Sequence, residues 1–157
     1  MKPFIYALAF ENGVAHPETL LDDRPRHYGT YAPENFDHSF QGTVTARRAL
    51  QLSLNLPAVE LLDEIGPEQF IARLRNAGAR IALPDETAPG LAAGLGGLGI
   101  TLRDLGALYA GLARGGTVPG LHETMDGVGT AEAGTRRITE PVASWYVAGI
   151  LCGVLPP

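Results

Sequence analysis

The first apolar stretch of the chain, residues 3–10, is hydrophobic on every side when it is read as a helix. An amphipathic helix would carry polar residues on one face, so this pattern predicts a helix that is buried all round. Asn12 and Gly13 follow directly and are typical of a helix end. We therefore expect a short, central helix at the start of the chain.

Apolar residues at helical spacing predict three further helices in the first half of the chain. Thr45 can cap the first of them, which runs through Leu52. The next two extend from near Pro57 to just before Gly66 and from Pro67 to a stop at Gly78. The short polar junction Ser53-Leu54-Asn55 lies between the first and the second of these helices.

The second half of the chain predicts two more helices. Thr101 and Asp104 resemble a capping box with Asp in the Glu position, and apolar residues at helical spacing follow them to Gly115. A last helix begins around Pro141 and runs to about Cys152. The Gly-rich residues between these two helices predict a loop or a short hairpin.

Residues 16–40 are rich in Pro, Asp, Asn and Tyr and show neither helical nor alternating periodicity. We interpret them as a long ordered surface segment. Long loops in compact domains are often functional, so this segment is a candidate for a role at a site.

Composition narrows the class of protein. A chain of 157 residues with 45% hydrophobic content is typical of one globular domain. The net charge of −5, with scattered arginines and no basic run, argues against nucleic-acid binding. The single cysteine, Cys152, allows neither an internal disulfide nor a cysteine metal site. No apolar run is long enough for a membrane segment, and the first one lacks a signal-peptide cleavage site.

Three patterns suggest chemistry but have simpler explanations. Gly94, Gly96 and Gly99 satisfy G-x-G-x-x-G, yet no β-branched strand precedes them, so close backbone packing explains them better than a dinucleotide site. The four histidines have no metal-site spacing, and we expect solvated side chains and no metal. They are His16, His27, His38 and His122. The acidic pairs Asp22-Asp23 and Asp63-Glu64 are interpreted as surface charge.

Ser53 and Asn55 are the most interesting polar pair, because a hydroxyl and an amide two residues apart in a tight turn can face one cleft. The simpler alternative is that Ser53 ends one helix and Asn55 begins the capping of the next. The three-residue pattern alone favours the simpler alternative.

Several stretches around this junction follow one another in the order typical of a known family. They are KPFIYAL at residues 2–8, YAPEN at 31–35, FQGTVT at 40–45, ALQLSLNLPAV at 49–59, Gly66, and the Gly-rich turn and helix of residues 94–116. This ordered pattern resembles the transpeptidase domain of class A penicillin-binding proteins. HPETLLDD at residues 16–23 resembles their 1C type in particular.

The resemblance implies roles for three residues. In that family S-x-x-K, S-x-N and K-T-G face one cleft. Lys2 matches the lysine of the first motif, which would place the serine two residues ahead of Met1, and Ser53 and Asn55 match the second. Lys2 is the only lysine of the chain, so K-T-G is not in it. We therefore expect residues 1–157 to be a fragment of the domain, from the lysine of S-x-x-K to before K-T-G, and to be inactive alone.

The implied chemistry is acyl transfer from a D-Ala-D-Ala stem peptide of peptidoglycan. Lys2 would act as the base and Ser53 would relay the proton, both as catalytic residues, while Asn55 would bind the substrate amide. β-Lactams would be further ligands of the parent enzyme, and no cofactor is implied. Class A members also carry a glycosyltransferase domain upstream.

The resemblance implies a predominantly α structure: the helical part of an α+β, β-lactamase-like penicillin-binding transpeptidase fold with few short strands. The parent is expected at the inner membrane, facing the periplasm, and this fragment is expected to be soluble. Apolar surface left uncovered by missing strands would favour a homo-oligomer.

Two alternatives remain open. One is a non-catalytic sensor or scaffold module with penicillin-binding-like architecture, and the residues that flank the chain would distinguish it from an enzyme. The other is a nicotinamide-dependent oxidoreductase based on the Gly94 to Gly99 pattern, which would require stabilisation by the cofactor.

Overall fold

The computed structural model describes residues 1–84, 90–120 and 136–154. Six α-helices lie in these ranges: α1 (Lys2–Glu11), α2 (Ala46–Gln51), α3 (Leu56–Ile65), α4 (Pro67–Asn76), α5 (Leu102–Ala113) and α6 (Pro141–Cys152). The strands described there are β1 (Leu20–Asp23), β2 (Gly42–Thr45), β3 (Ile81–Ala82), β4 (Gly99–Ile100), β5 (Thr117–Val118) and β6 (Arg136–Arg137). A short 3-10 helix spans Leu91–Leu95. The predicted predominantly α class with few short strands is confirmed.

Helix α1 is the centre of the structure. Its six residues from Phe4 to Ala9 are completely buried, and α1 packs against α3, α6, α2 and the 3-10 helix. Burying one large apolar side chain contributes about 1.5–3 kcal/mol, so a helix surrounded on all sides fixes the neighbouring elements firmly. The prediction of all-round burial from the uninterrupted apolar pattern is confirmed.

The predicted bounds of α2, α3 and α4 agree with the structure to within one or two residues. The Thr45 hydroxyl accepts a hydrogen bond from the N–H of Arg48 at 3.2 Å, which is the predicted N-cap. Gly66 lies between α3 and α4 with φ of 90°, a value that side chains rarely allow. This glycine separates the two helices.

The segment 16–40, interpreted as surface loop, contains strand β1. This strand pairs antiparallel with β2, with Leu20 opposite Thr45 and Asp23 opposite Gly42. Its sequence is Leu-Leu-Asp-Asp, so each face of the strand carries one apolar and one acidic residue and no alternation is visible. Leu21 and Asp23 face inward, and the interpretation of Asp23 as surface charge was wrong.

The second half of the chain follows the predicted order. Thr101 caps α5 by accepting from the N–H of Asp104 at 3.1 Å. The Asp104 carboxylate accepts from the backbone N–H and the Nε of Arg80, and thereby ties α5 to the end of α4. Strands β5 and β6, which precede and follow residues 121–135 in the sequence, pair antiparallel. Residues 121–135 lie outside the described residues; they include His122 and most of the predicted loop or hairpin.

Candidate active site

Lys2 and Ser53 are in direct contact although 51 residues separate them in the sequence. Lys2 is the first residue of α1, and its Nζ lies 3.0 Å from the Ser53 Oγ and donates a second hydrogen bond to the Ser53 carbonyl oxygen. Burial lowers the pKa of the Lys2 ammonium from its ordinary value, because a partly desolvated charge is less stable. A lowered pKa increases the neutral fraction of the amine at a given pH, and the neutral amine is the form that can accept a proton.

Ser53 lies in a turn with left-handed backbone, at φ of 55°. Its N–H donates to the Leu50 carbonyl and that of Leu54 donates to the Ala49 carbonyl, each at 3.0 Å, which closes α2. The buried Leu54 side chain anchors the turn in the core, while Ser53 on one side of it is exposed and Asn55 on the other is half-buried. The turn therefore presents a hydroxyl and an amide to the same side.

Asn55 does not cap α3 with its side chain. Its Nδ2 donates to the Glu34 carbonyl oxygen, and its backbone N–H donates to the Asn35 Oδ1 at 2.7 Å. Within residues 1–84, 90–120 and 136–154 no hydrogen bond reaches the Asn55 Oδ1. Asn55 therefore occupies the N-cap position of α3, as the simpler interpretation expects, but its side chain bonds to Glu34 and does not cap the helix.

The three predicted residues share a cleft of about 510 Å³. The opposite wall is formed by Gly94, Leu95 and Gly96 and by Tyr109 of α5. Tyr109 is partly exposed, and its ring packs edge-on against the buried Phe4 at 4.9 Å between centroids. The structure thus brings together Lys2, Ser53 and Asn55 across from a wall with few functional groups.

Gly94 and Gly96 of the glycine pattern line this cleft, whereas Gly99 lies in β4. A Cβ at Gly94 would lie 2.8 Å from the Leu62 Cδ2 and 3.0 Å from the Ile5 Cδ1, so the backbone approaches α3 and α1 too closely for a side chain. A 3-10 helix, not a strand, contains Gly94. Close packing, as predicted, explains Gly94, and the order of elements differs from that of a dinucleotide-binding turn.

Sequence reasoning missed two buried polar residues behind the Ser53 turn. Asn35 is 4% exposed and Asp23 is 0% exposed, and the Asn35 Nδ2 donates to both oxygens of the Asp23 carboxylate, at 2.8 and 3.0 Å. Charged residues are rarely buried completely, so nothing in the local pattern pointed to Asp23. Asn35 had two signals, its position in the long aperiodic segment and its place in the YAPEN stretch of the family resemblance.

The histidines are dispersed in the described part of the chain. His16 packs against Tyr146 with 5.2 Å between ring centroids, and His38 contacts the Glu34 carboxylate at 2.8 Å on the surface. No group of three or more metal-ligating side chains occurs among the described residues. A search of the same residues for an apolar helix of membrane-spanning length found none.

Comparisons with known proteins agree with this geometry. The family model described as the penicillin binding protein transpeptidase domain matches residues 1–125. The chain is 48% identical over 116 residues to penicillin-binding protein 1C of Escherichia coli K12, covering 74% of this chain and 15% of that protein. It is 39% identical over 119 residues to penicillin-binding protein 1F of Bacillus subtilis 168, covering 74% and 16%. The chain thus spans less than a fifth of the length of these relatives.

Solved structures share the fold. The penicillin-binding protein PonA1 of Mycobacterium tuberculosis superposes with a TM-score of 0.79 at 20% identity, covering 95% of this chain and 44% of PonA1. A structure of PonA1 in complex with penicillin V gives a TM-score of 0.66 at 23% identity, covering 74% and 34%. These likenesses concern the fold alone, whereas the family and the 1C-type resemblance rest on the sequence comparisons.

Proposed function

Because the chain belongs to the transpeptidase domain family of the penicillin-binding proteins, we propose that it forms one side of a serine acyl-transfer site that cross-links peptidoglycan stem peptides. The observation that carries the proposal is the contact of 3.0 Å between the Lys2 Nζ and the Ser53 Oγ, next to Asn55 in one cleft. An amine, a hydroxyl and an amide within reach of one another are the groups that proton transfer and amide binding require.

The nucleophile in this proposal is a serine two residues ahead of Met1. Residues three apart on a helix lie on the same face, so a serine one turn before Lys2 on a continued α1 would face the cleft. Neutral Lys2 accepts the proton of the serine hydroxyl as its oxygen attacks the carbonyl carbon of the D-Ala-D-Ala bond. Ser53 then passes its hydroxyl proton to the departing D-Ala amine and is reprotonated by Lys2, which returns to its neutral form. An acceptor amine of a second stem peptide attacks the acyl carbon and gives its proton to Lys2, and the serine oxygen leaves as it takes that proton back.

Asn55 binds the substrate in the proposed reaction. One N–H of its Nδ2 donates to the Glu34 carbonyl, which leaves the second N–H and the Oδ1 for an amide of the peptide or of a β-lactam side chain. PonA1, which shares the fold, has been solved with penicillin V. β-Lactams would enter this cleft as mimics of the stem peptide.

We further propose that residues 1–157 are the part of the domain from the lysine of S-x-x-K to before K-T-G. Without the serine this chain has no acyl acceptor and lacks the serine N–H as a donor for the oxyanion, so the isolated chain is inert. The parent protein would work at the inner membrane, facing the periplasm, with a glycosyltransferase domain upstream.

A labelled β-lactam tests the proposal. Intact-mass analysis should show no adduct on the 157-residue chain and one adduct on a longer protein that includes the residues on both flanks. Replacement of Lys2 by Met in the longer protein should slow acylation by roughly 100-fold or more, since general-base catalysis contributes about that much. Arg48→Met, which removes an exposed cation from α2, is the matched control and should leave the rate unchanged.

A longer protein that carries both flanking motifs and does not react would overturn the proposal. If the natural flanks lack the serine and K-T-G, the chain is instead a non-catalytic module of the sensor or scaffold kind.

A further inference from the structure

The Ser53 turn rests on a buried polar cluster that the acyl-transfer chemistry does not use. Asn35 lies at its centre. The Asn35 Oδ1 accepts from the Asn55 N–H at 2.7 Å, and the Asn35 Nδ2 donates to the Asp23 carboxylate and to the Ser39 carbonyl oxygen, both at 2.8 Å. The Gln41 N–H donates to the Asp23 Oδ2 at 2.7 Å. Every hydrogen-bonding group of the Asn35 side chain is thereby used.

The charge of Asp23 dictates how Asn35 is oriented. A carboxylate can only accept, so the NH2 group of Asn35 must face Asp23 and its oxygen must face away from it. That oxygen accepts a hydrogen bond from the N–H of Asn55. Because Asn55 immediately precedes α3, no carbonyl of that helix can accept from this N–H. A buried carboxylate is costly unless donors surround it, and here three hydrogen bonds reach its two oxygens.

We propose that Asn35 and Asp23 are positioning residues for acyl transfer, which hold Asn55 in place through its backbone N–H. This inference rests on the proposed function. Holding Asn35 also holds Glu34, which directly precedes it in the sequence. The Glu34 carbonyl oxygen accepts a hydrogen bond from the Asn55 Nδ2. Both the backbone and the side chain of Asn55 are therefore set by the same two adjacent residues.

The consequence concerns the direction of the Asn55 side chain. With hydrogen bonds on both its N–H and its Nδ2, the Asn55 side chain is held in one orientation at the cleft that it lines before any substrate arrives. Such preorganisation matters because a misplacement of about 1 Å can reduce a rate by roughly 100-fold. Asp23 touches neither Ser53 nor Lys2, and its effect passes through Asn35.

The first part of the test uses the 157-residue chain and NMR hydrogen exchange. The Asn55 amide should be protected in the wild type and should exchange roughly fivefold faster in Asp23→Asn, because a hydrogen bond of about 1 kcal/mol is lost. Asp23→Asn preserves the size of the side chain, removes its charge and replaces one acceptor oxygen by a donor NH2 group. Unchanged exchange of the Asn55 amide would overturn the inference.

The second part uses the longer protein with both flanks and a labelled penicillin. Asp23→Asn and Asn35→Ala should each lower the second-order acylation rate by roughly 100-fold. Leu74→Ala in the core of α4 is the control: it lowers the melting temperature but leaves the acylation rate of the folded protein unchanged. Full acylation by both cluster variants, or a loss of folding in both, would assign the cluster a structural role only and overturn the inference.

The two proposals can fail separately. If the wild-type longer protein does not react with penicillin, the proposed function fails and the inference fails with it, whatever the exchange data show. If the wild type reacts and the cluster variants react equally fast, only the inference about Asn35 and Asp23 fails.

Discussion

One wall of the cleft is held by hydrogen bonds, and the opposite wall by close contact of carbon atoms. Ser53 and Asn55 depend on polar partners, among them Asn35 at 2.7 Å from the Asn55 nitrogen. Gly94 on the other side has no side chain, and its backbone lies against Leu62 and Ile5. The polar wall places atoms that react, whereas the apolar wall supplies shape.

This difference determines how each wall should respond to substitution. Hydrogen bonds are modest in net energy and depend strongly on direction, so a change in the polar wall should affect chemistry more than stability. Close packing has little room for added atoms, so a change in the apolar wall should affect stability first.

The largest expected effect is on the apolar wall. Gly94→Val places methyl groups where a Cβ alone would already be 2.8 Å from the Leu62 Cδ2, and should lower the free energy of unfolding by about 3 kcal/mol. Urea unfolding followed by circular dichroism measures it. Gly90→Val is the control, because a Cβ there has no atom within 4 Å and the backbone is extended at φ of −109°. Equal losses in both variants would show that the wall is not tightly packed.

A smaller change in stability is expected in the polar wall, at Ser53. The sign of the stability difference between its glycine and alanine variants reports backbone strain. Ser53 holds φ of 55°, a left-handed conformation that costs a non-glycine residue about 1–2 kcal/mol. Ser53→Gly removes this cost and Ser53→Ala does not, so the glycine variant should be more stable than the alanine variant by about 1 kcal/mol. Thermal unfolding of the two variants gives the comparison.

Ser144 in α6 provides the control with the opposite sign. Glycine is less favourable than alanine by about 1 kcal/mol in a regular helix, so Ser144→Gly should be the less stable of that pair. If both pairs favoured alanine, the turn at Ser53 would carry no strain, and the cleft hydroxyl would be held at no expense in stability.

The two walls also differ in how far sequence could predict them. Helix α1 was predictable because its buried residues form an uninterrupted run of aliphatic and aromatic side chains, and the caps at Thr45 and Thr101 because an N-cap is a local contact. Strand β1 was not, because Leu21 and Asp23 share its inner face and cancel the alternation. Local sequence patterns therefore predict an element correctly when its buried residues are apolar and its exposed residues are polar.

The site required more than local patterns. Ser53 and Asn55 were candidates from their spacing, but only the family resemblance separated them from a pair of helix caps, and only the fold brings Lys2 to Ser53 across 51 residues. Asp23 was misinterpreted because an acidic residue is expected at the surface. A charged residue that is buried, contrary to the usual exposure of its residue type, cannot be identified from composition or periodicity.

Lys2 belongs to the polar wall, and the partial burial of its ammonium group should lower the free energy of unfolding while the group is charged. Burial lowers the pKa of its ammonium, so the unfolded chain holds this proton more tightly than the folded chain. Between the folded pKa and the unfolded value of about 10.4, the unfolded state binds more protons. The free energy of unfolding should therefore rise with pH in that window, the sign expected of a depressed lysine.

The smallest expected effect follows from this slope. Urea unfolding between about pH 8 and 10.4 should show a steeper rise in stability for the wild type than for Lys2→Met, by less than about 1 kcal/mol in total because the group is partly exposed. Arg48→Met is the control, since arginine stays protonated in this range and its removal should not change the slope. Identical slopes for the wild type and Lys2→Met would mean that the amine is fully solvated, and that burial does not lower its pKa in the folded protein.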